Sequence, residues 1–464
     1  MHIAQPRPAI SLELLQRFDV SGPRYTSYPT ADRFVEAFDA QTYRGWLRKR
    51  ALTGHPRPLS LYVHLPFCGT ICYYCACNKV ITKDHGRSAR YVKYVIKEIG
   101  LLGEALEGSR SVVQMHWGGG TPNFLNRDEM VDLAQAIGRT FRLDEKGEYS
   151  VEVDPRSLKE DTVALLGSLG FNRISLGVQD FDPIVQRAIN RIQTEEQTLG
   201  AIEAARRAGF KSINIDLIYG LPKQNVVGFN ATLEKVIRAS PERVALYNYA
   251  HLPTVFKPQR RISEADLPTP AVKLQLLSLA IRRLNDAGYI YVGMDHFAKP
   301  DDDLSVAQRQ GRLHRNFQGY STHADCDLLG MGISAIGQVG PTYSQNVKTL
   351  DEYYDRLDHG TLPVIRGIEL TADDLVRRAV IQCLMCQFEV PIESIEVGHL
   401  IDFKKYFARE IEDLSAFREA DLIKLDDQWL TVTALGRYFI RNICMVFDRY
   451  LREGRDRARY SKVV

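Results

Sequence analysis

Apolar and polar residues follow two periodicities along the chain, and these alternate from about residue 56 to residue 300. Short apolar runs typical of buried strands occur at residues 59–65, 112–117, 149–153, 173–178, 212–217, 243–249 and 289–294. Apolar residues spaced three and four apart predict helices between them, at residues 91–106, 128–141, 195–208 and 272–287. These repeated strand and helix units predict an α/β fold with a parallel sheet, whose functional residues lie at the carboxyl edge of the strands.

A short repeat marks the joint between helix and strand in this region. A glycine followed by an aromatic residue precedes three of the predicted strands, as Gly170-Phe171, Gly209-Phe210 and Gly288-Tyr289. Glycine is favoured just after the last turn of a helix because it adopts the left-handed conformation without strain. We therefore expect each of these helices to end in that glycine and the next strand to begin at once.

The two ends of the chain lack this alternation. Residues 1–48 hold a predicted helix at 11–18 and the segment RYTSYPT, and we interpret them as an N-terminal arm before an α/β domain at 49–350. Residues 351–464 predict a mainly helical domain, with a helix at 372–385 that Thr371 and Asp374 cap. A hairpin at 422–432 and a final helix, which Thr433 caps and which runs through residue 452, complete this domain.

The order of helix, hairpin and helix makes the C-terminal domain winged-helix-like, which raises nucleic acid as a partner. The candidate recognition helix carries Phe439, Ile440 and Met445, which are typical of core packing. We therefore expect no nucleic-acid partner, and we interpret the domain as a cover over the functional edge of the sheet.

Composition places the chain among ordinary globular proteins. Its 464 residues are enough for two or three domains, and 45% of them are hydrophobic and 25% charged. Sixty basic and 57 acidic residues give a net charge of +3, which offers no general attraction to nucleic acid or to an anionic membrane. Any basic function must therefore be local.

Neither a targeting segment nor a membrane span is expected. Arg, Glu and Pro interrupt every apolar run of the first twenty residues, so we expect neither a signal peptide nor a membrane anchor there. The longest uncharged stretch, residues 328–347, contains glycines, a proline, amides and hydroxyls, so we interpret it as a buried loop and strand near a ligand. Unpaired cysteines indicate the reducing cytoplasm.

Half of the eight cysteines lie within ten residues, directly after the first predicted strand. Cys68, Cys72, Cys75 and Cys77 follow the pattern C-x3-C-x2-C-x-C. Zinc sites usually draw two separated pairs of ligands, and disulfide frameworks belong to small secreted domains, so both interpretations are weaker. An iron–sulfur cluster fits closely spaced thiolates better, and three ligands at C-x3-C-x2-C would leave one iron of a [4Fe-4S] cluster open.

The cysteine pattern resembles that of the radical S-adenosylmethionine (SAM) superfamily, in which an aromatic residue, here Tyr74, precedes the third cysteine. Its extension Tyr62-x-His64-x-Pro66-Phe67-Cys68, the additional Cys77, RYTSYPT, GGGTP, MDHFA and NFQGYSTHADCDLLG resemble the oxygen-independent coproporphyrinogen III oxidase family. The resemblance spans nearly the whole chain. It implies a partial (β/α)6 radical SAM barrel, with a [4Fe-4S] cluster on Cys68, Cys72 and Cys75 and SAM on the open iron.

Polar or glycine-rich turns follow the predicted strands, and the resemblance gives them a role in binding SAM. From the residues alone, a glycine run such as 118–120 is usually only a turn, and we expect Glu152 to be partnered either with a ribose hydroxyl or with a structural arginine. The resemblance implies that SAM is bound by Tyr62, Tyr74, Gly119, Gly120, Thr121, Glu152, Gln179, Arg191, Asp216, Ala250 and Ile336. The family binds a second SAM, and Tyr62, Gly119, Glu152 and Ile336 would then serve one molecule and the others the second.

Cys77 and Arg24 are the remaining candidates. A fourth thiolate would close the open iron, so we expect Cys77 to lie near the cluster without ligating it. Arg24 lies in RYTSYPT, which is either an arm packed on the next domain or a lid whose arginine meets an anionic substrate. Residues 295–345 mix Arg, His and hydroxyls with apolar residues, which suits either a pocket for a flat ring bearing carboxylates or a polar covering loop.

The resemblance implies an enzyme of heme biosynthesis. Two propionates of coproporphyrinogen III would be decarboxylated to vinyl groups, giving protoporphyrinogen IX, with SAM consumed to methionine and 5'-deoxyadenosine. An electron donor and an electron acceptor, both of unknown identity, would take part, and we expect a monomer. The alternatives are another radical SAM activity such as methyl transfer, or a tetrapyrrole-binding heme chaperone; Cys77 and the N-terminal arm argue against both.

Overall fold

A computed structural model gives the fold and describes residues 11–18, 20–53 and 57–453. Two helices, α1 (Leu12–Phe18) and α2 (Ala40–Lys49), precede the sheet. The Asp39 carboxylate accepts a hydrogen bond from the backbone N–H of Thr42 and so caps the start of α2. The predicted helix at 11–18 is thus present from residue 12.

A mixed twelve-stranded sheet forms the centre of the described chain. The strands up to residue 369, including two short pairs outside this sheet, are β1 (Leu59–Leu65), β2 (Phe67–Cys68), β3 (Val80–Ile81), β4 (Ser111–Gly119), β5 (Arg142–Val153), β6 (Arg173–Gln179), β7 (Ser212–Tyr219), β8 (Arg243–Asn248), β9 (Ile290–Gly293), β10 (His296–Ala298), β11 (His314–Asn316), β12 (Gly319–Ser321), β13 (Asp327–Met331), β14 (Ile336–Val339), β15 (Thr342–Asn346) and β16 (Val364–Glu369).

Seven neighbouring strands of the sheet are parallel, in the order β13, β1, β4, β5, β6, β7, β8. The first strand lies inside this run, between β13 and β4, and Leu61 pairs with Met115 of β4 on one side and Leu329 of β13 on the other. Its residues Leu59, Leu61, Val63 and Leu65 are fully buried, as expected of a strand covered on both faces. Antiparallel strands extend the sheet at both edges, with β14 to β16 beyond β13, and β10 and β9 beyond β8.

Helices connect the parallel strands and cover the sheet. They are α3 (His85–Ala105), α4 (Arg127–Thr140), α5 (Glu160–Ser168), α6 (Pro183–Ala188), α7 (Glu195–Arg207), α8 (Val226–Ala239), α9 (Pro270–Asp286), α10 (Asp303–Arg309) and α11 (Leu350–Asp358). Six strand and helix units run from β1 to α9, and the sheet remains open between β16 and β9. The predicted α/β fold with a partial (β/α)6 barrel is thus confirmed.

The glycines of the short repeat adopt the predicted conformation. Gly170, Gly209 and Gly288 have φ angles of 95°, 82° and 86°, in the region that favours glycine. Each follows the end of α5, α7 or α9 within two residues, and the next strand begins shortly after it. The local sequence therefore determined where these helices end.

Two predicted elements differ from the structure. The run at 289–294 is not a further parallel neighbour, because β9 lies at the sheet edge and pairs antiparallel with β10. Residues 328–347 contain three strands, β13 to β15, rather than one loop and one strand. The strands in both segments are only four or five residues long, so periodicity could not distinguish their direction or number.

The C-terminal region contains α12 (Ala372–Gln387), β17 (Glu389–Pro391), α13 (Ile392–His399), α14 (Phe403–Tyr406), α15 (Ala408–Asp413), α16 (Ser415–Glu419), β18 (Ile423–Leu425), β19 (Trp429–Val432), α17 (Ile440–Val446) and α18 (Arg449–Glu453). The predicted capping box of Thr371 and Asp374 is present, and Thr433 accepts from the Gly436 backbone N–H. The final predicted helix is broken, because α17 ends at Val446 and α18 begins at Arg449. Phe439 and Ile440 are buried, as the packing interpretation expected.

The N-terminal arm packs against this C-terminal region. The Tyr25 hydroxyl donates to Asp448 at 3.0 Å, and the backbone N–H of Arg449 donates to the Tyr28 hydroxyl at 3.3 Å. Both tyrosines are 1% exposed, and the Arg441 guanidinium donates to the carbonyl of Pro23. The packing interpretation of the arm therefore has direct contacts, whereas the lid remains a prediction.

Within the ranges that the structure describes, every helix is too short or too polar to cross a membrane.

A buried ion pair fixes the end of α2 to β13, the strand that pairs with β1. Arg50 donates to Asp327 at 2.6 Å, and the two side chains are 4% and 6% exposed. Asp327 begins β13, and its second carboxylate oxygen accepts from the Gly340 backbone N–H. The pair therefore joins the end of α2, β13 and the turn after β14.

We expect Asp327→Ala to destabilise the protein by about 3–5 kcal/mol, because it leaves the buried Arg50 guanidinium without its counter-charge. Asp427→Ala is the control, since Asp427 forms an ion pair with Lys404 at 2.6 Å but is 88% exposed, and its loss should cost less than about 1 kcal/mol. Thermal denaturation of both variants measures the difference. Equal shifts of the unfolding midpoint would contradict the structural role of the buried pair.

Candidate active site

The four clustered cysteines lie on a loop that is closed at its base. Strands β2 and β3 pair in parallel, with Phe67 opposite Val80 and Cys68 opposite Ile81. The loop also bonds to the neighbouring helix region, because the Tyr73 backbone N–H donates to Ile189 and the Asn190 amide donates to Ile71. These contacts hold the cysteines at the carboxyl end of β1, the edge predicted to be functional.

This loop faces a cavity of about 880 Å³ at the carboxyl edge of the parallel strands. Twelve of the sixteen predicted site residues line it, and they come from the cysteine loop and from the ends of β4, β5, β6 and β7 and the segments that follow. They are Cys68, Cys72, Tyr74, Cys75, Cys77, Gly119, Gly120, Thr121, Glu152, Gln179, Arg191 and Asp216.

Two arginines contact the sulfur of Cys72. Arg156 Nη2 and Arg191 Nη1 each lie 3.6 Å from Cys72 Sγ. Asp154 orients both guanidinium groups, at 2.6 Å from Arg156 and 3.2 Å from Arg191. Burial alone would raise the pKa of Asp154, but Arg191 and Arg156 outweigh it and lower that pKa. The network therefore presents two fixed positive charges to a buried cysteine.

The other cysteines differ in their surroundings. The Cys77 thiol donates to the Cys75 sulfur, which lowers the pKa of Cys75, and Lys79 lowers it further. The same hydrogen bond raises the pKa of Cys77. Cys68 lies 3.5 Å from the Thr121 hydroxyl, and its burial raises its pKa to about 11. The loop thus holds thiols of unequal acidity around one space.

The glycine run joins the cysteine loop to the floor of the cavity. The Gly120 N–H donates to Leu65 and the Thr121 N–H donates to Phe67, both at 2.9 Å. Gly119 has a φ of 110°, and a Cβ there would lie 2.5 Å from the His64 ring. A Cβ at Gly120 would meet the Pro66 backbone at 2.5 Å. Only glycine permits this close approach, so the run is more than an ordinary turn.

Two carboxylates lie on neighbouring parts of the cavity wall. Glu152 accepts from the Gly119 N–H at 3.1 Å and contacts His116 Nε2 at 3.1 Å, and these contacts outweigh burial and lower the pKa of Glu152. Asp216 accepts from Ser175 and Asn214, yet burial, followed by repulsion from Glu152, raises the pKa of Asp216 to about 7. The two acids therefore change charge in different pH ranges.

Four predicted residues are not among those that line the cavity: Arg24 and three of the predicted SAM-binding residues, Tyr62, Ala250 and Ile336. Tyr62 is stacked on the His116 ring at 5.9 Å, and His116 in turn contacts Glu152. Ala250 follows β8, and Ile336 begins β14, where it pairs with Gln345. Their roles in binding SAM stay predictions.

Arg24 contacts a separate, smaller cavity of about 40 Å³. Its guanidinium forms an ion pair with Asp295 at 3.0 Å and donates to the Asn248 carbonyl at 3.3 Å. Arg441 also lines this cavity, which lies between the arm, the end of β8 and the C-terminal region. Arg24 thus joins the arm to the end of β8 and to Asp295. Its role towards a substrate stays a prediction.

Sequence reasoning missed the contact of Arg156 with Cys72 and the loop contacts of Lys79. The two loop carbonyls that Lys79 Nζ contacts are those of Cys75 and Cys77, at 3.2 and 3.1 Å. The position of Arg156 shortly after a predicted strand, beside an acidic residue, was visible in the sequence. Its partner lies 84 residues away, and no local pattern identifies such a pair.

Comparisons with known proteins agree with this geometry. A model of the Radical SAM superfamily matches residues 62–236, and a model of the HemN C-terminal domain matches residues 370–439. The oxygen-independent coproporphyrinogen III oxidase of Pseudomonas aeruginosa is 51% identical over 97% of this chain and 98% of its own length. The oxidase of that name from Escherichia coli is 47% identical over 98% of each chain. The solved structure of coproporphyrinogen III oxidase (HemN) from Escherichia coli, titled a radical SAM enzyme, superposes with a TM-score of 0.90, at 44% identity over 96% of this chain and 100% of that one.

The barrel, the cysteine loop and these matches define a radical SAM enzyme. Within that superfamily, the chain belongs to the oxygen-independent coproporphyrinogen III oxidase family. Membership implies a [4Fe-4S] cluster and SAM as cofactors.

The residues of the site fit these cofactors. Soft thiol ligands from one loop line a cavity large enough for small molecules, and arginine N–H groups lie beside Cys72. In the described part of the chain, no three His, Cys, Asp or Glu side chains are grouped as the ligands of a single metal ion.

We expect Cys72→Ser to remove most of the iron from anaerobically reconstituted protein, whereas Cys77→Ser should retain most of it and lose activity. The reason is that the sequence pattern predicts Cys72, and not Cys77, as a cluster ligand. Iron and sulfide analysis together with the visible absorbance measures this, and Cys326→Ser, away from the cavity, is the control. Equal iron loss in the Cys72 and Cys77 variants would contradict the ligand assignment.

Proposed function

We propose that the chain catalyses the oxygen-independent oxidative decarboxylation of coproporphyrinogen III to protoporphyrinogen IX. The observation that carries this proposal is the cavity on which twelve predicted site residues meet, in a chain that matches oxidases of that name over nearly its full length. Two propionates become vinyl groups, each with loss of carbon dioxide. For each propionate, one SAM becomes methionine and 5'-deoxyadenosine.

The cysteines and the basic residues around them define the redox end of the site. Cys68, Cys72 and Cys75 would hold the [4Fe-4S] cluster, while Cys77 lies beside them as a non-ligand. A bound cluster and SAM would supply one-electron chemistry at this end of the site, by which a hydrogen atom passes from the propionate β-carbon to the 5'-deoxyadenosine product. The substrate then loses carbon dioxide and gives one electron to an acceptor, so atoms and electrons balance. Arg156 and Arg191 offset the negative charge of the thiolates.

We further propose that the cavity takes two SAM molecules. Its volume of about 880 Å³ is near the upper end of the roughly 300–1,000 Å³ typical of small-molecule sites. Gly119 and Glu152, with Tyr62 and Ile336 nearby, would serve one molecule. Tyr74, Gly120, Thr121, Gln179, Arg191, Asp216 and Ala250 would serve the second.

Glu152 and Asp216 suit a cationic cofactor. SAM carries a sulfonium and an ammonium group, and buried carboxylates attract such charges strongly where water is excluded. The backbone N–H of Gly119 and the side chains of Ser175 and Asn214 fix both acids in place before a ligand arrives. The carboxylates would therefore orient SAM rather than move a proton.

We expect SAM to bind the reconstituted protein more weakly as the pH falls through about 7. Asp216, whose pKa is about 7, gains a proton in this range and loses its negative charge, while the lowered pKa of Glu152 keeps that residue ionised. Asp216→Asn should weaken SAM binding about tenfold at pH 8, as expected for the loss of a charge-assisted contact of roughly 1.4 kcal/mol or more. The same variant should lack the change in affinity near pH 7. Equilibrium dialysis with labelled SAM measures both.

Asp161→Asn is the matched control, because Asp161 also lines the cavity but is exposed. It should leave affinity and pH profile unchanged. A wild-type affinity that is constant between pH 6 and pH 8 would contradict the role of Asp216. The number of SAM molecules bound at saturation tests the proposal of two.

Arg24 is a candidate for binding a substrate carboxylate. It reaches from the arm to the end of β8, where Asp295 and the Asn248 carbonyl hold its guanidinium. An arginine held by one carboxylate can exchange it for another, and a propionate is a chemically equivalent partner. This supports the lid interpretation without requiring the arm to break the contacts that Tyr25 and Tyr28 make with Asp448 and Arg449.

We expect Arg24→Ala to raise the KM for coproporphyrinogen III and to leave the iron content and SAM affinity unchanged. The loss of one charge-assisted hydrogen bond corresponds to roughly tenfold or more. Arg17→Ala is the control, since Arg17 lies on α1 and is exposed. Anaerobic assays with SAM, a reductant and the substrate measure the vinyl product. Unchanged kinetics of Arg24→Ala would show that the arm has a packing role alone.

The same assay separates the alternatives. Vinyl product supports the oxidase, heme binding without decarboxylation supports a chaperone, and a methylated product supports methyl transfer.

We also propose that the protein is a monomer in the reducing cytoplasm. All eight cysteines are free thiols in the structure, which supports the compartment.

A further inference from the structure

A third cavity, of about 360 Å³, lies on the outer side of the cysteine loop. It lies between the end of this loop, the start of α3 and the turn before α11. Four cationic side chains line it, and we call it the basic groove: Lys79, Arg87, Arg90 and Lys348. Among the residues that line it, Asp351 is the single acidic one.

The positive charge of the basic groove is not neutralised within the described structure. Arg87, Arg90 and Lys348 are exposed, and none of the four cations has a carboxylate of the described chain within ion-pair distance. Arg90 instead lies over the ring of Tyr354 at 4.5 Å. Farther along α3, by contrast, Lys97 forms an ion pair with Asp358 at 2.5 Å. The groove therefore remains a local positive surface on a nearly neutral chain.

The basic groove shares a wall with the candidate active site. Lys79 lines both cavities, and its ammonium contacts the carbonyls of Cys75 and Cys77. Asn78, the residue after Cys77, lines the groove, and its amide donates to the Lys348 carbonyl at 3.0 Å. A single turn of chain thus separates the outer surface from the loop that carries the cluster ligands.

The reaction requires an electron from outside the protein, and this geometry limits its route. SAM and substrate occupy the main cavity when the electron is needed. The opening of that cavity is therefore closed to a second macromolecule. Electron transfer weakens steeply with distance, and the donor must therefore approach the loop from its outer side. The basic groove offers that approach.

We propose that the basic groove is the docking surface for an acidic electron-carrier protein that reduces the cluster. This inference rests on the proposed redox function of the cysteine loop. One electron leaves the flavin or iron–sulfur group of the carrier, which is oxidised by one electron, and the cluster is reduced by one electron without transfer of any atom. Complementary charge steers such encounters and makes their rate depend on salt.

The test compares two triple variants of the holoenzyme with the same change in charge. Arg87→Glu, Arg90→Glu and Lys348→Glu together reverse the groove. Lys211→Glu, Arg282→Glu and Arg409→Glu together are the control, because these residues are also two exposed arginines and one exposed lysine, but lie elsewhere. A bacterial flavodoxin in its hydroquinone form is the probe, and stopped-flow absorbance follows reduction of the cluster.

At low ionic strength, the groove variant should be reduced at least about tenfold more slowly than the wild type, and the control variant at the wild-type rate; electrostatic steering has effects of about 10 to 1,000-fold. High salt should remove the difference. Replacement of the three groove residues by Gln should give an intermediate rate. Binding of oxidised flavodoxin, measured by calorimetry, should weaken in the same order.

A photoexcited deazaflavin, which needs no docking surface, should reduce the cluster equally in all variants. Equal flavodoxin rates in the groove and control variants would overturn the docking proposal, as would a wild type that only the deazaflavin reduces. A wild type that neither donor reduces would instead count against the proposed redox function. The two failures are therefore distinguishable.

Discussion

The charge on the cysteine loop is the constraint on which the rest of the site depends. Three cysteines that would be thiolates as cluster ligands lie within eight residues, and the acids Glu152, Asp154 and Asp216 line the same cavity. Arg156 and Arg191 contact Cys72, and Asp154 holds both arginines in place. Because these charges are buried, each needs a partner at short distance. The charged groups of the site therefore require that the loop, β5 and the α6 region are correctly placed together.

The backbone supplies the precision that these charges require. The pairing of β2 with β3 closes the loop, and the glycine run bonds to its first residues. Each support comes from a strand of the parallel sheet or from the segment that follows it, so the position of the cysteines is fixed relative to the carboxylates. Rigid elements place functional groups more accurately than free loops do. A barrel of this kind can therefore hold a reactive species while excluding water.

Much of the fold and part of the site could be predicted from the sequence. The parallel strands, the glycines that end α5, α7 and α9, and the capping box at Thr371 all depend on local patterns. The strands β14 to β16 and the direction of β9 depend on antiparallel pairing, which short apolar runs do not reveal. The cysteine spacing indicated the chemistry, whereas the contact of Arg156 with Cys72 depends on the folded chain.

The contact between the first and last segments of the chain determines when the molecule becomes complete. Tyr25 and Asp448, which form a hydrogen bond, are separated by 423 positions, and Arg441 similarly holds the carbonyl of Pro23. During synthesis, Tyr25 and Pro23 therefore gain these partners only after the ribosome has translated nearly the whole protein. The cysteine loop and its supporting strands emerge long before that moment. The contacts that join the two ends of the chain are thus among the last that the growing protein can form.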